Sequence, residues 1–480
     1  MKDFCDRALD TAKAQGATYA DIRIVGRETQ SITVENGKVQ ALTHEESFGF
    51  GIRVLANGAW GFAASANLTG PEIDRTAAMA VQLAKAAARV HRRPVDVGDP
   101  YRIVASYKTP VQTDPFRVPL NDKISLLLDA SQTMQRVPGI AVAQASVESI
   151  KEEKTFASTE GSFIEQEIVE TGAGIEATAV GEHEVQNRSY PNSVGRHQAT
   201  EGWEFVQRWD LPGNAQRIAD EAVALLTARS CPEGFRTIIL DGSQVALQIH
   251  ESCGHAVELD RVMGTEAAFA GTSFLTTDKL QGFRYGSDAV NLTADATIPG
   301  GLGTFGYDDE GVPAQRSPLV QRGMFCGYLM SRETAHALGL QSNGTMRADG
   351  WSRLPLIRMT NVSLEPGNWR LEDLIADTDD GLYMETNRSW SIDDKRLNFQ
   401  FGTEIAFEIK NGRKGDLLKN ATYTGITPLF WGSCDAVCNR DHWVVWGTPN
   451  CGKGQPEQVA HTGHGASPSR FRNIQVGVMR

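Results

Sequence analysis

Two Asn-Gly pairs near the start of the chain constrain its fold more than any other feature. Asn36-Gly37 lies in "QSITVENGKVQALT" and Asn57-Gly58 lies in "SFGFGIRVLANGAWGFAASAN", each between runs that alternate apolar and polar residues. Asn-Gly accepts the positive φ angles of the two-residue turns that suit twisted paired strands. Together with the preceding "ADIRIVGRE", these segments predict an antiparallel meander of strands.

Helical patterns alternate with these strands and indicate the α+β class. The N-terminal "MKDFCDRALDTAKAQG" is amphipathic, and "TGPEIDRTAAMAVQLAKAAARVH" offers Thr69 as an N-cap with Pro71 in the first turn. A third helix is expected in "LNDKISLLLDASQTMQRV", capped by Asn121, and a fourth over residues 212–230. Proline-rich connections separate the second helix from the third, and strand patterns dominate residues 139–207.

The chain of 480 residues is long enough for more than one domain. We expect residues 1–230 to form an N-terminal domain, an antiparallel sheet with covering helices. Residues 231–480 should form a β-rich C-terminal domain, because short strand patterns separated by Gly, Asn and Asp turns recur there.

Charge and composition exclude several classes of protein. The formal net charge is -12 and no basic run of five residues occurs, so direct nucleic acid binding is not expected. No run of eighteen apolar residues is present and the N-terminus lacks a secretory pattern, which predicts a cytoplasmic protein without membrane contact. Seven cysteines, an odd number scattered over the chain, indicate reduced thiols.

The segment "LQIHESCGHAVELD" combines side chains suited to metal chemistry. His250 and His255 can supply imidazole ligands, and Glu251 beside them can take a proton from a water molecule. At about 100° per residue, positions five apart point about 140° away from each other on a regular α-helix. A π-type bulge that includes Gly254 would bring the histidines to one face. Alternatively, the helix ends at Gly254 and His255 enters from the following turn.

Two histidines need a third ligand to make a convincing metal site, and the residues alone leave several candidates open. The candidates are Cys253, Cys434, Cys438, His442, Cys451, His461 and His464. Cys434, Cys438 and His442 are spaced by four, so on a helix they could form a second, structural zinc site. Buried free thiols are the commoner outcome.

Four motifs occur in order along the chain: "HESCGHAVELD", "GYDDEGVPAQ", "RMTNVSLEPG" and "NCGKGQPEQVAHTGHG". They resemble the motifs of the TldD/PmbA family of zinc metallopeptidases, formerly called modulators of DNA gyrase. The resemblance spans nearly the whole chain and is densest after about residue 235. It implies a two-domain α+β protein whose C-terminal domain binds zinc.

Carried onto this sequence, the resemblance implies His250, His255 and Cys451 as zinc ligands and Glu251 as the catalytic residue. The His-Glu-x-x-x-His motif places the chain with the metal-bearing TldD-like branch. The expected activity is hydrolysis of unfolded or flexible peptides, in maturation or degradation, with water activated by zinc and Glu251. The expected assembly is a homodimer, or a heterodimer with a metal-free PmbA/TldE-like relative. Cys253 departs from the family pattern, because an aliphatic residue is usual there.

Three further side chains are candidates for substrate binding: Tyr307, Arg358 and His464. The first two could stabilise the charge that develops on the scissile carbonyl, and His464 could line the site. The acidic run Asp308, Asp309 and Glu310 lacks the ligand spacing of a calcium loop and is expected to be a solvated turn.

Two other functions remain open on the sequence alone. One is a non-catalytic binding or assembly subunit of a TldD/PmbA-type complex. The other is a cysteine hydrolase that uses Cys253 or Cys451 as nucleophile.

Overall fold

The computed structural model of the chain describes residues 1–90, 93–193 and 197–479, and it has the predicted α+β class. In these ranges, no helix is long and apolar enough to cross a membrane. The α-helices are α1 Lys2–Ala14, α2 Gly70–Ala87, α3 Leu120–Gln135, α4 Glu204–Arg208, α5 Leu211–Thr227, α6 Gly242–Ile249, α7 Leu259–Val262, α8 Arg332–Ala337, α9 Leu371–Ala376 and α10 Thr427–Gly432.

A long sheet occupies the first part of the chain. Its strands are β1 Tyr19–Glu35, β2 Lys38–Ala56, β3 Ala59–Ser65, β4 Val104–Lys108, β5 Ile140–Ser158, β6 Phe163–Val180, β7 Val185–Tyr190 and β8 His197–Ala199. They run in the order β3-β2-β1-β5-β6-β4, with β7 and β8 also pairing with β6. The predicted meander is confirmed: Asn36 and Asn57 have φ of 50° and 53° at the two hairpin turns.

Four helices cover this sheet through small and aliphatic side chains. Helices α1 and α2 bury residues such as Leu9 and Ile73 against β1 and β2, and α3 and α5 bury residues such as Leu127 and Ile218 against β5 and β6. Thr69 precedes α2 as expected, although its side chain makes no cap hydrogen bond. The Asn121 cap was wrong, because α3 begins at Leu120 after Pro119. The cap residue is Pro119, two positions earlier, which suits proline because it has no N–H to leave unpaired.

The remaining strands build the second part of the chain. They are β9 Arg229–Ser230, β10 Gly234–Leu240, β11 Leu292–Asp295, β12 Arg316–Gln321, β13 Met324–Phe325, β14 Met346–Arg347, β15 Leu356–Ile357, β16 Val362–Leu364, β17 Asp380–Ile392, β18 Asn398–Lys410, β19 Arg413–Lys419, β20 Ala421–Ile426, β21 Cys434–Val437, β22 Val444–Lys453, β23 Gln458–Ala466 and β24 Ser469–Val478. The main sheet has the order β17-β10-β24-β20-β18-β19-β9, and β18 also pairs with β17. These pairings close five strands into a ring around a large apolar core.

Buried ion pairs join the two parts. Lys154 on β5 lies 2.8 Å from Asp309, and Arg53 on β2 contacts Asp21 at 2.7 Å and Glu310 at 3.0 Å. The acidic run is therefore not the solvated turn that we expected, since Asp309 and Glu310 are at most 2% exposed. The strands of the first sheet end at residue 199 and those of the second begin at residue 229, next to the end of the N-terminal domain that we propose at residue 230.

Candidate metal centre

A single π-helical turn carries the His-Glu motif. Helix α6 begins after Asp241, whose carboxylate accepts hydrogen bonds from the N–H groups of Ser243 and Gln244, and it continues into the π turn His250–Gly254. The wider turn brings the rings of His250 and His255 to a centroid distance of 4.9 Å, at right angles to each other. Of the two geometries that the spacing allowed, the π bulge is the one found.

Gly254 is required at this turn because another element approaches closely. A Cβ atom at this position would lie 2.0 Å from Sδ of Met359, which is fully buried. A larger residue would push Met359 away and disturb the backbone between the two histidines.

Cys451 on β22 completes a cluster with the two histidines. The ligand atoms of His250, His255 and Cys451 all lie within 4.8 Å of one another, and all three residues are buried. Sγ of Cys451 is 3.7 Å from Nε2 of His255. Nitrogen and sulfur bound tetrahedrally to one zinc ion, at about 2.1 and 2.3 Å, would be about 3.6 Å apart. The cluster therefore fits a zinc ion once the ligand atoms that are farthest apart, within 4.8 Å of each other, move closer together.

Hydrogen bonds fix the tautomer of each imidazole. Nδ1 of His464 lies 2.9 Å from the carbonyl oxygen of Val362, so it carries the proton and leaves Nε2 as an acceptor. His250 then donates from Nδ1 to this Nε2 at 2.7 Å. His255 likewise donates from Nδ1 to Oε2 of Glu258 at 3.0 Å. Both histidines thus keep Nε2 free for a metal, the arrangement that oriented metal-binding histidines usually have.

Glu258, the partner of His255, belongs to a group of buried charged side chains. The Lys453 ammonium lies 2.8 Å from Asp260 and 3.4 Å from Glu258, and all of these side chains are largely or fully buried. Lys453 therefore balances the carboxylate that orients His255. A buried carboxylate without such a partner would be costly.

The protonation states suit metal binding. Burial lowers the pKa of both His250 and His255, so both imidazoles are neutral at pH 7 and can act as ligands. Burial alone would raise the pKa of the Cys451 thiol, but His255 and Arg358 outweigh it and the pKa is lowered from its ordinary value of 9.0. The thiol in this cluster is thus the one most readily converted to a thiolate ligand.

Glu251 lies on the wall of a cavity of about 510 Å³ that contains the cluster. The residues that line it include Leu247, Trp390, Ile392 and Trp446. Oε2 of Glu251 accepts a hydrogen bond from Nη1 of Arg396 at 2.5 Å. Among the described residues, no donor bonds its other oxygen, Oε1, which leaves that atom available to a molecule in the cavity.

The three predicted substrate-binding residues lie in different places. Arg358 is buried and donates from Nη2 to the carbonyl oxygen of Cys451, so it supports the strand that carries the thiol. Tyr307 lines a separate, smaller cavity between the first sheet and the second part of the chain. His464 is fully buried against His250 and touches the metal cluster rather than the open cavity.

The proposed second zinc site has no support. Cys434 lies on strand β21 rather than a helix, so spacing by four does not align it with Cys438 and His442. In the described part of the chain, one cluster of three His, Cys, Asp or Glu ligands is found, and it excludes these residues. Cys253 is fully buried in the core and its pKa is raised to about 12 by burial. It is not one of the three residues of the cluster, and its raised pKa makes it unsuited to nucleophilic attack.

Sequence reasoning missed three residues of the site. Glu258 follows His255 by three positions in "HAVELD", a spacing that brings side chains together in helical backbone and could have been noticed. Lys453 and Arg396 reach the site through tertiary packing, and their sequence context gives no local signal.

Family profiles match nearly the whole chain. Residues 20–84 match the PmbA/TldA metallopeptidase domain 1, residues 113–229 match its central domain and residues 233–477 match its C-terminal domain. The cluster and Glu251 lie in the range of the third profile.

Curated relatives of similar length are named as metalloproteases. A metalloprotease of Methanothermobacter thermautotrophicus is 32% identical over 459 residues, which cover 96% of this chain and 95% of the relative. Another, from Methanocaldococcus jannaschii, is 32% identical over 410 residues, 85% of this chain and 86% of the relative. A protein of Saccharolobus solfataricus named as a zinc metalloprotease TldD homolog is 22% identical, with 98% of each chain covered.

Solved structures share the fold at low sequence identity. A Thermotoga maritima protein, named as a proposed modulator of a DNA gyrase, superposes with a TM-score of 0.78 at 18% identity and covers 99% of this chain and 100% of its own. TldE from Thermococcus kodakarensis superposes with a TM-score of 0.75 at 16% identity, with 98% and 99% covered.

Proposed function

Because this chain belongs to the PmbA/TldD metallopeptidase family, we propose that it is a zinc-dependent peptidase that hydrolyses peptide bonds in unfolded or flexible peptides. One observation carries the proposal: the buried cluster of His250, His255 and Cys451 opens onto a cavity whose wall presents Glu251. A metal ligand set with a carboxylate beside it is what metal-assisted hydrolysis requires.

Zinc is the metal that this donor set favours. Two neutral imidazoles and one thiolate suit zinc, and three protein ligands leave a fourth position open, as catalytic zinc sites do. The name of the Saccharolobus solfataricus relative points the same way. When bound by His250, His255 and Cys451, zinc would supply a Lewis acid that polarises a carbonyl oxygen and makes a water molecule more acidic.

Glu251 would be the general base. Glu251 lines the cavity, and no donor among the described residues bonds its Oε1, so this oxygen can take a proton from water and pass that proton to the leaving amine. His464 and Glu258 would keep the two imidazoles in the tautomers that bind metal. Arg358 would hold the main chain at Cys451.

The expected partners and location are also proposals. The chain would work as a homodimer or with a metal-free PmbA/TldE-like relative, which the shared fold with TldE supports. We propose a cytoplasmic location because all seven cysteines are free thiols, the state that a reducing compartment maintains. The net charge of -12 disfavours direct nucleic acid binding.

Two matched variants test the proposal. Cys451→Ser should lose most of the metal measured by elemental analysis, because a hydroxyl is a far weaker ligand than a thiolate. Glu251→Ala should retain about one zinc per chain but should no longer cleave an unfolded peptide. Fragments of a reduced and carboxymethylated protein are suitable substrates. Addition of a chelator should abolish cleavage by the parent protein, and added zinc should restore it.

Two other outcomes would contradict the proposal. Full metal retention by Cys451→Ser would remove this ligand from the site. A folded, dimeric protein that binds zinc but cleaves no peptide, alone or with a TldE-like chain, would favour the non-catalytic assembly subunit instead.

A further inference from the structure

We infer that Arg396 is a positioning residue for Glu251, which holds one carboxylate oxygen so that the other faces the cavity. The inference deepens the proposed peptidase function and rests on it. Arg396 is the one arginine or lysine among the described residues that line the cavity of the metal cluster. Its contact with Glu251 is direct, with 2.5 Å between Nη1 and Oε2.

The backbone at Arg396 is fixed in an unusual conformation. The residue lies in the turn between β17 and β18, with φ of 64°, which non-glycine residues seldom adopt. Its N–H donates to the carbonyl oxygen of Asp393 at 2.8 Å, and its own carbonyl accepts from the hydroxyl of Thr427 at 2.9 Å. From this fixed position the guanidinium group of Arg396 reaches Glu251.

The same turn is tied to the chain that follows the metal-binding segment. Nη2 of Arg261, a buried residue on α7, lies 3.0 Å from the carbonyl oxygen of Asp394. The N–H of Phe274 donates to the carbonyl oxygen of Lys395, also at 3.0 Å. Arg396 is therefore placed by a braced turn rather than by a loose surface loop, which is what precise orientation of a neighbour requires.

The contact accounts for the geometry of Glu251. Its side chain is 8% exposed and that of Arg396 is 15% exposed, so the pair is mostly shielded from water. A buried carboxylate without a counter-ion is unfavourable, and Glu251 would turn away or rotate freely without this one. With Oε2 held, rotation of the carboxylate is restricted and Oε1 remains directed at the cavity. A general base depends on such placement, because proton transfer needs a short, aligned contact.

Steady-state peptide cleavage by the full-length, zinc-loaded protein tests the inference. Arg396→Gln should lower kcat about 10- to 100-fold, a part of the 10²- to 10⁴-fold that a general base contributes, with KM within about threefold of the parent. Arg396→Lys should recover about tenfold of the loss, since an ammonium can restore the single contact to Oε2. Lys395→Gln, the same charge change at the exposed neighbouring side chain, should leave kcat unchanged. All variants should keep one zinc per chain.

Three results would overturn the inference. An unchanged kcat in Arg396→Gln would remove the role, and a rise in KM alone would assign Arg396 to substrate binding. If Arg396 acts through Glu251, combining Arg396→Gln with Glu251→Gln should lower the residual kcat by less than about threefold below Glu251→Gln alone, and a full multiplicative loss would contradict this.

A separate measurement distinguishes failure of this inference from failure of the proposed peptidase function. If the parent protein cleaves no peptide, the same two substitutions are compared singly and together in urea unfolding of the metal-free protein. Non-additive midpoint shifts are expected if the pair interacts, and strictly additive shifts would overturn the inference independently of any activity.

Discussion

Replacement of His464 by phenylalanine should weaken metal binding without touching a proposed ligand. The hydrogen bond from Nδ1 of His250 to Nε2 of His464 is 2.7 Å long, and both rings are buried. Phenylalanine keeps a ring at this position but offers no acceptor. To present Nε2 to a metal, His250 would then have to bury an unpaired N–H at Nδ1, which costs about 1–3 kcal/mol.

This cost converts directly into affinity. Since each 1.4 kcal/mol is a factor of ten, metal binding should weaken about 5- to 140-fold, in line with the usual effect of removing a residue that orients a metal-bound histidine. The carbonyl of Val362 also loses its donor, but it does so in both the metal-free and the metal-bound protein. The loss of this hydrogen bond should lower the free energy of unfolding, but it should not change the difference in zinc affinity between the variant and the parent protein.

Competition between the protein and a chromophoric zinc chelator measures the effect. Thr462→Val is the matched control, because the hydroxyl of Thr462 lies 3.2 Å from the same Nε2 but is not needed to orient His250. Its affinity should stay within about threefold of the parent. If His464→Phe folds and binds zinc as tightly as the parent protein, the tautomer argument is refuted.

Two further predictions concern the local backbone and a buried charge. Gly254→Ala should destabilise the protein by about 1–3 kcal/mol in urea unfolding and weaken zinc binding, because the new Cβ would lie 2.0 Å from Sδ of Met359; an unchanged midpoint would contradict this. Burial opposes ionisation of Glu152, but Lys154 and Arg27 outweigh it and lower its pKa from 4.5 to about 2. Ionised Glu152 should therefore add about 3 kcal/mol to the free energy of unfolding above pH 4.5, and this contribution should disappear as the pH falls towards 2. Urea unfolding of Glu152→Gln and parent should differ most at pH 7 and converge in acid, whereas a constant difference would refute the assignment.

Local features of the chain were predictable because they depend on a few neighbouring residues. The Asn36-Gly37 and Asn57-Gly58 turns follow from backbone preferences of two residues, and the meander follows from them. The five-residue spacing of His250 and His255 likewise limits the backbone to a few geometries, of which the π turn is one.

Features that depend on distant packing were not predictable from the residues alone. Cys451 is 196 positions from His255, and only the family resemblance selected it among seven cysteines. The burial of Asp309 was missed because its partner Lys154 lies on β5, far away in the sequence, and an acidic run without a visible counter-ion resembles solvated surface. Arg396 was missed for the same reason, since nothing in "DDKRL" indicates that its guanidinium reaches Glu251.

The ion pairs between the sheet and the acidic run also decide how the chain can be divided. Asp309 takes its cation from Lys154 and Glu310 from Arg53, both contributed by residues before the proposed boundary. A truncated chain that starts at residue 231 would leave these two carboxylates without the cations that pair with them, although each would keep a hydrogen bond from a backbone N–H of its own half. We therefore expect the half that holds the proposed metal ligands to be less stable alone than as part of the full chain.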